Sequence, residues 1–290
     1  MFWQQVINGL TIGGVYALVA VGYTLVYGVL GMINFAHGSI YTLGAYFAFT
    51  AVVMLHMPFW LAFLFALSLT ALAGILVERT GYFPLRNASV ETQIICIFGL
   101  SIVLDNAIRL IWGAQPRAFP ADLFPNRFLV SGLVISPVQL IIIFFALAIM
   151  GLLYLLVYRT KAGLAMRAVA LNPEAATLMG INISRLRLQT FVLSSVLAAS
   201  AGTLVGVYYK IISYNLGLAT VIKAFVVSIL GGIGNIAGAM VGGLVLGQIE
   251  TLGAAYISTG YKDAFAFIVM ILVLMLRPNG ILGVYTREKV

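Results

Sequence analysis

Long apolar runs separated by short polar breaks dominate the chain. The runs Val6–Leu30, Ala36–Leu55, Phe59–Val77, Thr92–Trp112, Val138–Val157, Leu188–Tyr208 and Ile236–Tyr256 approach or exceed the roughly 20 residues of one bilayer crossing. Two further runs, Ala219–Gly232 and Asp263–Leu276, are shorter, and either cross with help from their flanks or re-enter. Inside hydrocarbon every backbone polar group needs a partner, so each run predicts a helix. The first run has no basic residue before it, the first in the chain being Arg79. A cleaved secretory leader carries a positive start, so this run reads as the first crossing.

Composition agrees with that pattern. The chain of 290 residues is 62% hydrophobic and 8% charged, too few charges to cover a soluble core. The expected fold is an all-α polytopic membrane protein with about 8–10 transmembrane helices and a weak internal repeat. The 16 Lys and Arg exceed the 8 Asp and Glu, giving a formal charge of +8. In a membrane protein such an excess marks cytoplasmic loops, and no basic face with interleaved aromatics suggests nucleic acid. With nine crossings, Arg79, Arg86, Arg159, Lys161, Arg167, Arg185, Arg187, Arg277, Arg287 and Lys289 fall inside. Only Arg117, Arg127, Lys210 and Lys262 then lie outside, with the N-terminus. Cys96 is the one cysteine, so a disulfide within the chain and a multi-cysteine metal site are both excluded. No cofactor or metal is expected, and no P-loop or nucleophile elbow is present. If ATP drives this protein, a partner binds it.

Two breaks echo each other. "LGMINFAHG" (Leu30–Gly38) and "LGGIGNIAG" (Leu230–Gly238) share Leu, Gly, Ile and Gly, and each ends one apolar run and opens another. Paired helix breaks in two halves of a transporter point to a pathway, although two glycine turns between helices fit as well. If the breaks face each other, Asn34, His37, Gly38 and Asn235 line or close the cytoplasmic end of a route. His37 also fits a hydrogen-bonded packing role. Gly234, Gly238 and Gly242 stand four apart, as do Gly243 and Gly247, a spacing that lets two membrane helices approach closely within one chain or between two.

Ionisable residues inside the runs are few. Asp105 and Arg109 are four apart and are expected to pair across one helical turn. Glu250 lies within a long run and Lys223 near the outer end of a short one. A proton-coupled carrier would be expected to string more such groups through its core.

One stretch stands apart, "LNPEAATLMGIN" (Leu171–Asn182), in the most basic loop. Asn172 is a good N-cap, Pro173 suits the first turn, and Gly180 suits the residue past the end. Glu174 sits where a carboxylate favours the helix dipole. The resulting helix, Pro173–Met179, places Ala175, Leu178 and Met179 on one face, with Ala176 beside it, suited to docking in a shallow groove.

These residues carry a family resemblance. "EAATLMG" resembles the E-A-A-x-x-x-G cytoplasmic loop of ABC importer permeases, which docks on the ATPase subunits. The downstream I-x-L-P portion is missing, the matching region reading "TFVLSS", which argues against the maltose-type group. "GGVYALVAVGYTLVYGVLGMINFAHGSIYTLGAY", "LGGIGNIAGAMVGGLVLG", "YKD" and the terminal "RPNGILG" resemble the LivH-type permeases of branched-chain amino acid importers. The resemblance implies a single permease domain over residues 1–290, with 158–187 as its coupling loop. It implies a multi-pass protein of the bacterial inner membrane that moves Leu, Ile or Val by alternating access and is not an enzyme. It also implies partners: a second related permease subunit, two ATP-binding subunits and a periplasmic substrate-binding protein. Urea and short-chain amide importers use similar permeases, and an ion-coupled secondary carrier or a non-transporting scaffold are the readings from other classes.

Overall fold

A computed structural model describes residues 1–120, 123–124, 128–130 and 132–283. Arg127, Arg287 and Lys289 of the charge pattern lie outside these. The helices are α1 (Phe2–Leu30), α2 (Ala36–Phe49), α3 (Phe59–Val77), α4 (Val90–Trp112) and α5 (Pro137–Arg159) in the first half. Then come α6 (Lys161–Leu171), α7 (Pro173–Leu178), α8 (Ile183–Tyr209), α9 (Leu216–Gly231), α10 (Ile236–Tyr256) and α11 (Lys262–Leu276). Four short strands complete the order: β1 (Arg117–Ala118), β2 (Phe128–Val130), β3 (Leu133–Ile135) and β4 (Ile211–Ile212). Strand β1 pairs antiparallel with β4, and β2 with β3.

Among the described residues, seven helices are long and apolar enough to cross a membrane, and α9, at 16 residues, is a shorter apolar one. Helix α2 is prolonged by a π-helical turn through Met54, and a three-ten turn lengthens α11 into Thr259–Leu276. The protein is therefore an all-α polytopic membrane protein, with α6 and α7 lying between crossings. Several helix ends are tied to one another. The Gln4 side chain exchanges hydrogen bonds with both backbone groups of Val134, at 3.0 and 2.9 Å. The Trp112 indole N–H donates to Thr50 Oγ1 at 2.8 Å, joining the ends of α2 and α4.

Burial divides the helices. The membrane-length windows of α1 and α8 are 94% and 83% buried, against 6% for the segment containing α11. The reason is side-chain size. Helix α8 carries a run of Ala, Ser and Gly, and Gly202 and Thr203 lie directly on the backbone of α2 at Tyr41 and Gly44. Outer helices instead turn Leu72, Leu110, Phe144, Leu152 and Met275 outward, where lipid solvates them.

The glycine stripe of α10 packs within the chain. Gly238 and Gly242 lie against Gly231 and Val227 of α9, while Gly243 and Gly247 lie against Ala17 and Gly13 of α1. The two series face different neighbours, so a single helix is gripped on two sides.

Asp105 and Arg109 do not form the expected ion pair. The Arg109 guanidinium lies instead 5.7 Å from the centre of the Tyr214 ring. That ring contact, worth about 0.5–1 kcal/mol, exceeds the few tenths of a kcal/mol of a helical i,i+4 pair.

Candidate functional site

The two breaks are neighbours in space. Gly31, at φ 69°, closes α1 with its N–H on the Tyr27 carbonyl at 2.7 Å, and the chain runs non-helically to Phe35. Gly232 and Gly234, at φ 102° and 84°, make the second break, and a Cβ on Gly28 would stand 3.4 Å from Gly234 Cα. Only glycine adopts such angles without strain.

The last carbonyls of a helix need donors. At the end of α9 they come from the C-terminal segment: Ile281 N–H donates to Leu230 O at 2.8 Å and Leu282 N–H to Gly231 O at 3.1 Å. Asn235 holds this arrangement. Its Oδ1 accepts from Gly238 N–H at 3.0 Å, capping α10, and its Nδ2 donates to the Leu282 carbonyl at 2.6 Å. His37 is fully buried between α1 and α8, its ring nitrogens 3.0 Å from the Val19 carbonyl and 3.1 Å from Ser194 Oγ. Gly38 packs on the backbone of Gly217. Asn34 is also buried, and among the described residues its amide oxygen and nitrogen have no hydrogen-bond partner. Of the four pathway candidates, three are committed to caps or helix seams, and Asn34 alone keeps polar atoms to spare.

A second cluster forms on the half of the bundle away from the two breaks. Glu250 of α10 is fully buried; Tyr16 of α1 donates to its Oε2 at 2.7 Å, and Lys223 of α9 stands 2.9 Å from its Oε1. The same Lys223 ammonium reaches Asp263 of α11 at 2.8 Å and Tyr16 Oη at 3.2 Å. Lys262 approaches Glu250 at 3.9 Å. Two acids and two bases from three helices thus neutralise one another, with a tyrosine from a fourth. Beside them lies a cavity of about 200 Å³ whose lining includes Tyr16, Tyr41, Lys223, Lys262 and Asp263.

The third feature is α7. Asn172 Oδ1 accepts from Ala175 N–H at 3.0 Å, as an N-cap should. At the other end Gly180 has φ 82°, its N–H donates to Thr177 O at 2.9 Å, and Ile181 N–H donates to Ala176 O at 3.1 Å. Ala176 is buried, while Leu178 and Met179 are 89% and 83% exposed. Pro173, Glu174 and Ala175 are exposed with them. Helix α6 precedes it, capped by Thr160, and Gly163 lies on the Val157 carbonyl so closely that no side chain fits. The chain leaving α5 therefore turns sharply before it presents α7.

Residues 5–274 match the family model described as "Branched-chain amino acid transport system / permease component". The chain belongs to this family. It is 42% identical to the "High-affinity branched-chain amino acid transport system permease protein BraD" of Pseudomonas aeruginosa, over 100% of this chain and 98% of that one. It is 40% identical to the similarly described LivH of Escherichia coli, with the same coverage. A "Probable branched-chain amino acid transport permease protein LivH" of Methanocaldococcus jannaschii is 32% identical over 92% of this chain and 88% of that one. As the permease family implies, this is a multi-pass membrane protein.

In the sequence of this permease Glu250 and Lys223 stand out only singly, and nothing along the chain joins Tyr16, Lys262 and Asp263 to them. Their union depends on α1 and α10 lying side by side, which the glycines at Gly13, Gly243 and Gly247 allow. That stripe was the available signal, since it sets which faces meet.

Proposed function

We propose that this chain is the permease subunit of an ATP-driven importer that carries branched-chain amino acids inward by alternating access. The observation that carries the reading is end-to-end similarity, at 42% identity, to a permease named for that transport. The proposed partners are a second related permease, two ATP-binding subunits and a periplasmic binding protein, assembled in the bacterial inner membrane. Residues 158–187 form the coupling loop, and α7, through Asn172–Ala176 and Leu178–Gly180, is the element that meets an ATPase. A permease without its own nucleotide site receives work mechanically. A helix capped at both ends transmits a push that a frayed one would absorb. Near the paired breaks, Asn34, His37, Gly38 and Asn235 close the cytoplasmic end of the route. The last three hold its helix ends and seams, and Asn34, whose amide has no partner among the described residues, is the one with polar atoms left for a solute.

Gly180→Val tests the coupling assignment cleanly. The space around Gly180 is open, so a valine meets no neighbour and only its left-handed φ opposes the change, at about 1–2 kcal/mol. The expected outcome is normal accumulation in the membrane, weakened co-purification of the ATP-binding subunits, and a parallel fall in uptake. Glu174→Lys gives a milder version. ATP-driven uptake at the unsubstituted level in vesicles carrying Gly180→Val would overturn the role of α7.

A further inference from the structure

We propose that the cavity beside the Lys223–Glu250–Asp263 network is a transit site for a free aliphatic α-amino acid, with Asp263 and Lys262 taking its charged groups. The proposal rests on the importer reading above and locates the substrate's recognition inside this subunit.

The members of the network differ in what they have left to offer. An ammonium has three donors, and Lys223 directs its own at Glu250, Asp263 and Tyr16. Glu250 is fully buried and already engaged by Tyr16 and Lys223. These groups anchor the site. Lys262 has only the 3.9 Å approach to Glu250, and its side chain is 33% exposed. Asp263 meets Lys223 through Oδ1 at 2.8 Å, and its side chain is 74% exposed. The adjacent pair thus presents one positive and one negative group with bonding capacity unused, and both line the cavity of about 200 Å³.

Part of that cavity's wall is aliphatic, from Ile12, Val15, Val205 and Leu216, beside the more polar Tyr41, Tyr209 and Thr220. A second cavity of about 330 Å³ shares Ile12, Tyr209 and Lys262 with it and adds Gln5, Asn8 and Thr259, residues at the start of α1 and just before α11. The two together form a vestibule at the end of the bundle away from the two breaks, the end that the importer reading turns toward the binding protein. A ligand suited to both walls carries a cation and an anion a few ångströms apart and an aliphatic tail. The carboxylate of an amino acid takes the Lys262 ammonium, its ammonium takes Asp263, and its side chain takes the aliphatic wall. Because a zwitterion brings no net charge, no ion of the buried network is stranded as it enters or leaves, avoiding the several kcal/mol that an unpaired buried charge costs. A neutral polyol or amide offers no such exchange, and a simple ion offers half of it.

The test uses the assembled importer in vesicles, with ATP inside and the leucine-loaded binding protein outside, so that leucine is the probe. Asp263→Asn and Lys262→Gln each remove one charge-assisted bond to substrate, and uptake per ATP hydrolysed is expected to fall about tenfold, with Lys262→Arg recovering most of it. A ratio equal to the unsubstituted protein, or uptake and hydrolysis falling together, overturns the proposal. A second measurement keeps every charge in place: Thr259→Cys in a Cys96→Ser background is labelled with a thiol reagent. Millimolar leucine is expected to slow that labelling, and no protection counts against the site. If the unsubstituted importer itself shows no ATP-driven leucine uptake, the importer reading fails instead.

Discussion

Replacing Lys223 with methionine is expected to cost about 3–5 kcal/mol of stability, because it leaves the Glu250 carboxylate buried without its main cation. Glu250 is fully buried, and among the described residues the change leaves it Tyr16 and the longer 3.9 Å approach of Lys262. Replacing Lys223 and Glu250 together with methionine removes both charges, and the double variant is expected to recover most of the loss. Thermal unfolding of the purified protein in detergent, followed by loss of the monodisperse species, reads both. A single variant as stable as the parent would show that the network is solvated and structurally idle. A double variant no better than the single one would show that the unpaired Glu250 carboxylate is not the source of the loss.

Gly243→Leu is expected to prevent the bundle from assembling. A side chain there runs into the backbone of Ala17, and neither helix can withdraw, because α10 is also fixed to α9 through Gly238 and Gly242. Overpacking a well-filled core costs about 1–3 kcal/mol even where neighbours can move, and here the obstruction is main chain. Gly99→Leu and Gly151→Leu are the controls, since nothing stands within 4 Å of a Cβ at either position. Membrane levels measured by immunoblot should collapse for Gly243→Leu and persist for the two controls. Persistence of all three would mean that the α1–α10 seam yields to a bulky side chain.

Much of the fold is legible in the chain because the bilayer leaves backbone few options. Apolar length alone located the crossings, and Asn172 with Gly180 marked α7 within a residue, since capping is local chemistry. The π-helical turn after α2 was not legible, because Thr50–Met54 is as apolar as the helix before it. The Asp105–Arg109 pairing failed for a related reason: spacing on one helix says which groups can meet, not which better partners approach from another. The terminal "RPNGILG" resembled a family signature, but its physical work became visible only when Ile281 and Leu282 were seen on the α9 carbonyls. The second cluster was hidden for the same reason: Tyr16 and Glu250 meet across 234 residues of sequence.

The proposed function is inward transport of branched-chain amino acids on ATP hydrolysed by separate subunits. Its most direct test is radiolabelled leucine uptake into vesicles holding the chain with its permease partner, the two ATP-binding subunits and the binding protein. Uptake is expected to require internal ATP and external binding protein, to compete with isoleucine and valine but not with urea, and to survive collapse of ion gradients. Leucine uptake by this chain alone, driven by a proton or sodium gradient without ATP, would contradict it.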